Sequence, residues 1–270
     1  MENRIENKFA ELEQKGKKAF VSYFMGADPD PETTLELMHN FADNGVDIIE
    51  LGLPFSDPMA EGPTIQKAAE RVLKKNIKQK DVLEIVKKFR ERDSTTPVIL
   101  MGYYNPIFFH GIRNFVIQAK NAGIDGFIIV DLPPEEDEEF VKILNENGLR
   151  FIKLTTPTTD AKRAKRVLQS ASGFVYYVSV AGVTGVKSAD FAEVQSKVME
   201  LKKHTDLPIC IGFGIKNTEQ AISASKISEG IVIGSAFVKI IEENLHDKNA
   251  IIENSVKFVR EIRQAIDSNN

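Results

Sequence analysis

Eight short apolar runs, each followed by a longer stretch with helical character, constrain this chain more than any other feature. They cover residues 20–24, 47–53, 98–103, 126–131, 151–155, 174–180, 208–213 and 231–235. The intervening stretches carry helix-start signals, with Pro31 and Glu32 ahead of Leu35, Leu37 and Met38, and Asp81 ahead of Val82, Ile85, Val86 and Phe89. Helix ends are expected at Asn44-Gly45, Ala122-Gly123 and Asn147-Gly148. The last stretch has Ile252, Val256, Val259, Ile262 and Ile266 at the three-four spacing of one apolar helical face. Strands alternating with helices imply βαβ units and a parallel sheet. These strands are apolar on both faces, as a sheet covered by helices requires. Eight such units in about 250 residues is the size of a (β/α)8 barrel, and a doubly wound open sheet is the rival. With no Gly/Ser-rich linker or composition break, the expectation is an α/β chain. It is read as a single (β/α)8 TIM barrel domain over residues 1–270, with an additional N-terminal helix.

Composition removes several function classes. A net charge of −4, with Lys and Arg scattered through apparent helices, argues against non-specific nucleic-acid binding. The residues after Met1 lack the apolar core of a signal peptide, and no apolar run nears the roughly 20 residues that span a bilayer. The lone Cys210 rules out an internal disulfide and fits a reducing cytoplasm, where it reads as a small buried hydrophobe. His39, His110, His204 and His246 are far apart and none has a ligand-like neighbour, so no metal is implied. The run Pro133-PEEDEEF reads as the first turn of a helix, where acidic groups suit the helix dipole.

In such a barrel the chemistry sits at the carboxyl ends of the strands and in the loops that follow. Glu50 stands in an apolar strand, where an unpaired carboxylate costs several kcal/mol in order of magnitude. Glu61 follows eleven positions later in a loop punctuated by Pro54, Pro58, Gly62 and Pro63. Together they suggest an acid/base pair converging on one ligand. Asn105 and Asp131 follow the third and fourth strands. Glycine-rich ends follow the last three: Thr184-Gly185, Gly212-Phe213-Gly214 and Gly234-Ser235. Backbone N–H groups there can approach a phosphate closely, with Lys216 nearby. No GxxxxGK[ST] loop is present, which argues against a nucleoside triphosphate. Tyr23, Tyr103, Tyr176 and Phe213 at strand ends could wall an apolar pocket. The combination describes a substrate with a flat apolar head and a phosphorylated tail.

The segments NKFAELEQKGKKAFVSYFMGADP from Asn7, IELGLPFSDPMAEGPTIQ, MGYYNP, IIVDLPPEE, YYVSVAGVTG, IGFGIKN and IGSAFVKII follow one another in order over nearly the whole chain. In this the sequence resembles the α subunit of tryptophan synthase. The resemblance implies a (β/α)8 barrel that cleaves indole-3-glycerol phosphate to indole and glyceraldehyde 3-phosphate by a retro-aldol reaction. It implies proton transfer by Glu50 and acceptance of the indole N–H by Glu61, and an indole pocket at Ile65, Tyr103, Ile128, Tyr176 and Phe213 with Tyr23 beside it. Phosphate falls to the backbone of Gly185, Gly214, Gly234 and Ser235. The loop from Ala181 to Asp190 would be a lid, with Thr184 meeting Asp57. No cofactor is implied in this chain. The partner would be a β subunit carrying pyridoxal phosphate in an α2β2 heterotetramer, docked on the carboxylate loop and the Tyr104-Asn105-Pro106 loop.

Glu61 departs from the family, whose usual residue at that position is aspartate. The extra methylene lengthens its reach by roughly 1.5 Å. Either the loop shifts to compensate or the enzyme is slower; the intact frame from Pro54 to Pro63 favours compensation. Ser22 and Tyr23 stand where proline and phenylalanine are common. The competing readings are a free-standing lyase that releases indole, a barrel that binds a phosphorylated indole without turnover, and a sugar-phosphate isomerase or epimerase.

Overall fold

A computed structural model describes residues 3–179, 191–212 and 214–269. In chain order the elements are α1 (Arg4–Gln14), β1 (Ala19–Met25), α2 (Pro31–Asn44), β2 (Ile48–Gly52), α3 (Pro63–Lys74), α4 (Gln79–Arg90) and β3 (Val98–Gly102). Next come α5 (Tyr104–His110), α6 (Ile112–Ala122), β4 (Gly126–Ile129), α7 (Glu138–Glu146), β5 (Arg150–Phe151), β6 (Lys153–Thr155), α8 (Ala161–Leu168) and β7 (Val175–Val178). The chain ends with α9 (Phe191–Leu201), β8 (Ile209–Gly212), α10 (Thr218–Ser225), β9 (Gly230–Ile233), α11 (Ser235–Glu243) and α12 (Lys248–Asp267).

Every strand pairing is parallel, in the order β5-β4-β3-β2-β1-β9-β8-β7-β6. The two ends of that order are adjacent in sequence, separated by Ile152 alone. Arg150 and Phe151 pair with β4, Ile152 N–H donates to the Phe127 carbonyl at 2.9 Å, and Lys153 onward pairs with β7. β5 and β6 are thus two halves of one strand, so eight strand positions close into a TIM barrel. The eight apolar runs supply them.

Period-two alternation then divides the side chains. Ala19, Val21, Ile48, Ile99, Ile128, Ile152, Phe174, Cys210 and Val232 pack with one another in the lumen. Their neighbours, such as Phe20, Phe24, Ile49, Leu51, Leu100, Phe127 and Ile231, pack outward against the helices. Cys210 is fully buried, as a small hydrophobe should be. The N-terminal helix plugs one end of the lumen with Ile5, Phe9 and Leu12, and Phe9 meets Phe174 at a ring separation of 5.7 Å. Asn3 caps that helix by accepting from Ile5 N–H and ties it to the barrel rim through the carbonyls of Asp125 (2.8 Å) and Gly148 (3.0 Å). With this end sealed, the carboxyl ends of the strands are left to bind a ligand.

Local differences from the sequence reading have physical causes. On α12 the buried stripe is Ile251, Ser255, Val259, Ile262 and Ile266, so Ile252 and Val256 lie at its edge, only partly buried. Helix α4 begins two residues before Asp81, which accepts from Lys78 N–H at 2.8 Å from within the first turn. The acidic run after Pro133 is split. Only Glu138 and Glu139 lie in the first turn of α7, while Glu135 pairs with Arg163 and Asp137 is buried against Lys153 at 2.6 Å. Residues 104–106 open the helix α5 rather than a loop, because the Asp131 carboxylate accepts from Tyr104 N–H at 2.8 Å. No helix among the described residues is long and apolar enough to cross a membrane.

Asp125, buried at the sealed end, accepts from Arg4 (2.9 Å), Arg90 (2.9 Å) and Val98 N–H (2.9 Å). Asp125→Ala leaves the mostly buried Arg90 without its carboxylate and is expected to cost about 3–5 kcal/mol. Arg4→Ala, at a partly exposed partner, should cost about 1 kcal/mol or less. Urea midpoints of the two variants check this, and equal losses would contradict it.

Candidate active site

Glu50 lies on β2 between Ile49 and Leu51, whose side chains face the helices, so its own side chain faces the lumen. It is level with Tyr23 on β1 and Ile99 on β3. The residue is fully buried, and neither carboxylate oxygen has a hydrogen-bond partner among the described residues. Burial, with the Glu61 charge adding to it, pushes the carboxyl up to about 8. A buried carboxyl without donors keeps its proton, because the lumen cannot solvate the anion.

Glu61 is delivered by a braced loop. Met59 N–H donates to the Asp57 carbonyl (2.9 Å), Glu61 N–H to that of Pro58 (3.0 Å), and Ala60 N–H to the Tyr103 hydroxyl (2.9 Å). Gln66 Nε2 returns from α3 to the Glu61 carbonyl at 2.9 Å, and Gly62-Pro63 start that helix. The half-buried Glu61 carboxyl is pushed up to about 7 by burial. Its charge acts on Glu50, Tyr23, Tyr103 and Tyr176, which places two carboxylates and three phenols around one space.

The phenols hold fixed places. Tyr103 packs at a tilt against Phe55, with ring centroids 5.1 Å apart, while its hydroxyl holds the carboxylate loop. Tyr176 lies so close over Gly212 that any Cβ there would collide with its ring and hydroxyl. Tyr23 lies against Gly52 and Gly234 in the same manner. Burial, and after it the two glutamates, push the Tyr23 and Tyr176 hydroxyls well above their usual range, so both stay neutral donors. Ile65 on α3 is partly buried at the edge of the outer core, and Ile128 is fully buried in the lumen. Gly52 and Phe55 also belong to this space; a glycine inside an apolar strand is the sequence signal for the first, since it marks a close approach.

After β9, on the far side of β1 from β2, Gly234 is the N-cap of α11 with no side-chain cap, and Ser235 behind it is exposed. Gly214 is also exposed, has φ +54°, and a Cβ there would meet nothing within 4 Å. An uncapped helix start offers free N–H donors and the positive end of a dipole to an anion. Asp57 is exposed, with the Ser56 hydroxyl donating to it at 2.5 Å. Thr184, Gly185 and Phe213, together with the Ala181–Asp190 segment read as a lid, lie outside the described residues.

The family model described as tryptophan synthase alpha chain matches residues 9–267. The chain belongs to the tryptophan synthase alpha chain family. Solved structures agree. The tryptophan synthase subunit alpha of Legionella pneumophila str. Paris is 41% identical, with a TM-score of 0.93 and coverage of 99% of this chain and 100% of that one. A structure from Aquifex aeolicus VF5 is 40% identical, with a TM-score of 0.89 and coverage of 98% and 99%. A chain of the tryptophan synthase α2β2 complex of the hyperthermophile Pyrococcus furiosus is 38% identical, with a TM-score of 0.84 and coverage of 91% and 98%.

In this member of the tryptophan synthase alpha chain family both glutamates bind their protons more tightly folded than unfolded. Their neutral forms favour the fold fully below about pH 4, and stability is lost as pH rises from there through about 7 and 8. Glu50→Gln removes the charge that burial opposes. It should raise Tm above that of the unaltered chain at high pH by several degrees, a few kcal/mol, with the gap narrowing as the pH falls toward about 4.5. Calorimetry across that range checks this; a gap constant with pH would refute it.

Proposed function

We propose that this chain is the α component of a tryptophan synthase, a lyase that cleaves indole-3-glycerol phosphate to indole and glyceraldehyde 3-phosphate. Family membership carries the reaction. The observation that supports the residue roles is a fully buried Glu50 carboxyl with no hydrogen-bond partner among the described residues, beside the Glu61 carboxyl at the mouth of the barrel.

Net reaction moves one proton from the side-chain hydroxyl next to the ring onto indole carbon 3. Glu50 is protonated at neutral pH and gives its proton to carbon 3, making the ring an electron-poor indolenine. The resulting carboxylate takes the proton of the adjacent hydroxyl. That oxygen forms the aldehyde carbonyl, the bond to carbon 3 breaks, and its electron pair restores the aromatic indole. Glu50 ends ready for another cycle. Glu61 accepts the ring N–H and offsets the positive charge that grows there, and this charge in turn favours the Glu61 anion. Tyr103, Tyr176, Ile65, Ile128 and Phe213 wall the ring. The uncapped start of α11, with Gly214 and Gly185, holds the phosphate.

The partner is the β subunit, in an α2β2 assembly of the kind found in Pyrococcus furiosus. Met59 on the carboxylate loop is 85% exposed, and Phe108 and Phe109 on α5 are 62% and 93% exposed. The hydrogen bond between Ala60 N–H and Tyr103 ties these two segments together. Large exposed apolar side chains beside the site suit an interface. Pyridoxal phosphate would belong to that partner. The chain would act as one barrel domain in the cytoplasm, where a free buried Cys210 is at home.

Glu50→Gln should lower indole release at least 100-fold, the scale of a lost general acid, while the phosphorylated ligand still binds. Unchanged release would refute the assigned role. Glu61→Asp should keep kcat/KM within about tenfold, a displacement of the carboxylate being partly taken up by the loop. A complete loss would mean that the loop is built around the longer side chain.

A further inference from the structure

Tyr23 on β1 lies between β2, which carries Glu50, and β9, which leads into the uncapped start of α11. A Cβ added at Gly234, the N-cap of α11, would come within 2.9 Å of Tyr23 Cδ1 and 3.2 Å of its Cβ. One added at Gly52 would come within 2.5 Å of the Tyr23 hydroxyl oxygen. Gly52 is two residues beyond Glu50 on β2, hence on the same lumen face and nearer the opening. The ring therefore starts beside Gly234 on the β9 side, crosses the face of the strands, and brings its hydroxyl to Gly52 on β2, two residues beyond Glu50. That hydroxyl makes no hydrogen bond to any described residue.

We propose that the Tyr23 hydroxyl is a specificity-determining group that hydrogen-bonds to a hydroxyl of the substrate's three-carbon chain. The inference rests on the reaction proposed above. A ligand with its phosphate at α11 and its ring between the glutamates must run its chain along the Tyr23 side chain. A phenol both donates and accepts, so it can serve a chain hydroxyl in either sense. Glu50 is taken by the hydroxyl next to the ring, and a second chain hydroxyl buried there without a partner loses its hydration for nothing. Held at that point, the chain has one register, with the hydroxyl next to the ring facing Glu50. A site that bonds a substrate hydroxyl discriminates against analogues lacking it.

Tyr23→Phe removes one oxygen and keeps the ring. Two ligands separate the possible roles: indole-3-glycerol phosphate, read as kcat/KM for indole release, and indole-3-propyl phosphate, which lacks both chain hydroxyls, read as an inhibition constant. The expected result is a fall in kcat/KM of roughly five- to tenfold, the value of one neutral hydrogen bond, with the inhibition constant unchanged within about twofold. Equal weakening of both ligands would mean that only ring packing was disturbed, and would overturn the proposal. So would no change in either. A shift in the pH profile of kcat/KM would place the hydroxyl on Glu50 instead and also overturn it. If the unaltered chain bound the propyl analogue but released no indole, the failure would lie with the proposed reaction.

Discussion

Closure of the sheet through Ile152 is the constraint on which the rest depends. One residue separates the half-strand that pairs with β4 from the half-strand that pairs with β7. Once closed, a parallel sheet has no free edge, and every second side chain must enter a lumen wide enough only for side chains. The lumen is filled by Val, Ile, Phe and Cys at one end, sealed by α1. At the other end the fill stops being aliphatic. Glu50, Tyr23 and Tyr176 point inward there, and glycines 52, 212 and 234 supply the space that the two phenols occupy.

That change explains the electrostatics. A carboxyl on an exposed loop would ionise near pH 4. The same group beside aliphatic and aromatic walls, with no donor among the described residues, stays protonated to about 8. The fold has already excluded water from Glu50 before any ligand arrives, so an acid is available at neutral pH. Glu61 reaches the same space from a loop held by Tyr103 and Gln66, and its environment is less extreme. Stability is given up here: two carboxyls are buried that would be better solvated in the unfolded chain.

Much of this was legible from residue order. The eight runs became the strand positions because short, continuously apolar runs bounded by helix signals mark buried parallel strands locally. Glu50 stood out because a charge inside an apolar strand is rare. Other features depended on distant partners. The acidic run after Pro133 could not reveal that Asp137 turns inward to Lys153 while Glu135 turns outward to Arg163. Residues 104–106 carry loop-like letters, yet the Asp131 carboxylate caps them into a helix. On α12, Ser255 is buried in place of an apolar neighbour because packing against α2 and α10 sets the helix rotation.

By itself the sequence determined the alternation of strands and helices, the parallel sheet, the family, and the pair of acidic residues. These follow from local periodicity and from motifs that are contiguous in the chain. Only the tertiary structure decided how the barrel closes, that α1 seals one mouth, and that Tyr23 spans Gly234 and Gly52. It also decided that both glutamates hold their protons toward neutral pH. The reason is the same in each case: register, burial and electrostatic environment are set by residues far apart in sequence, which become neighbours only when the sheet closes.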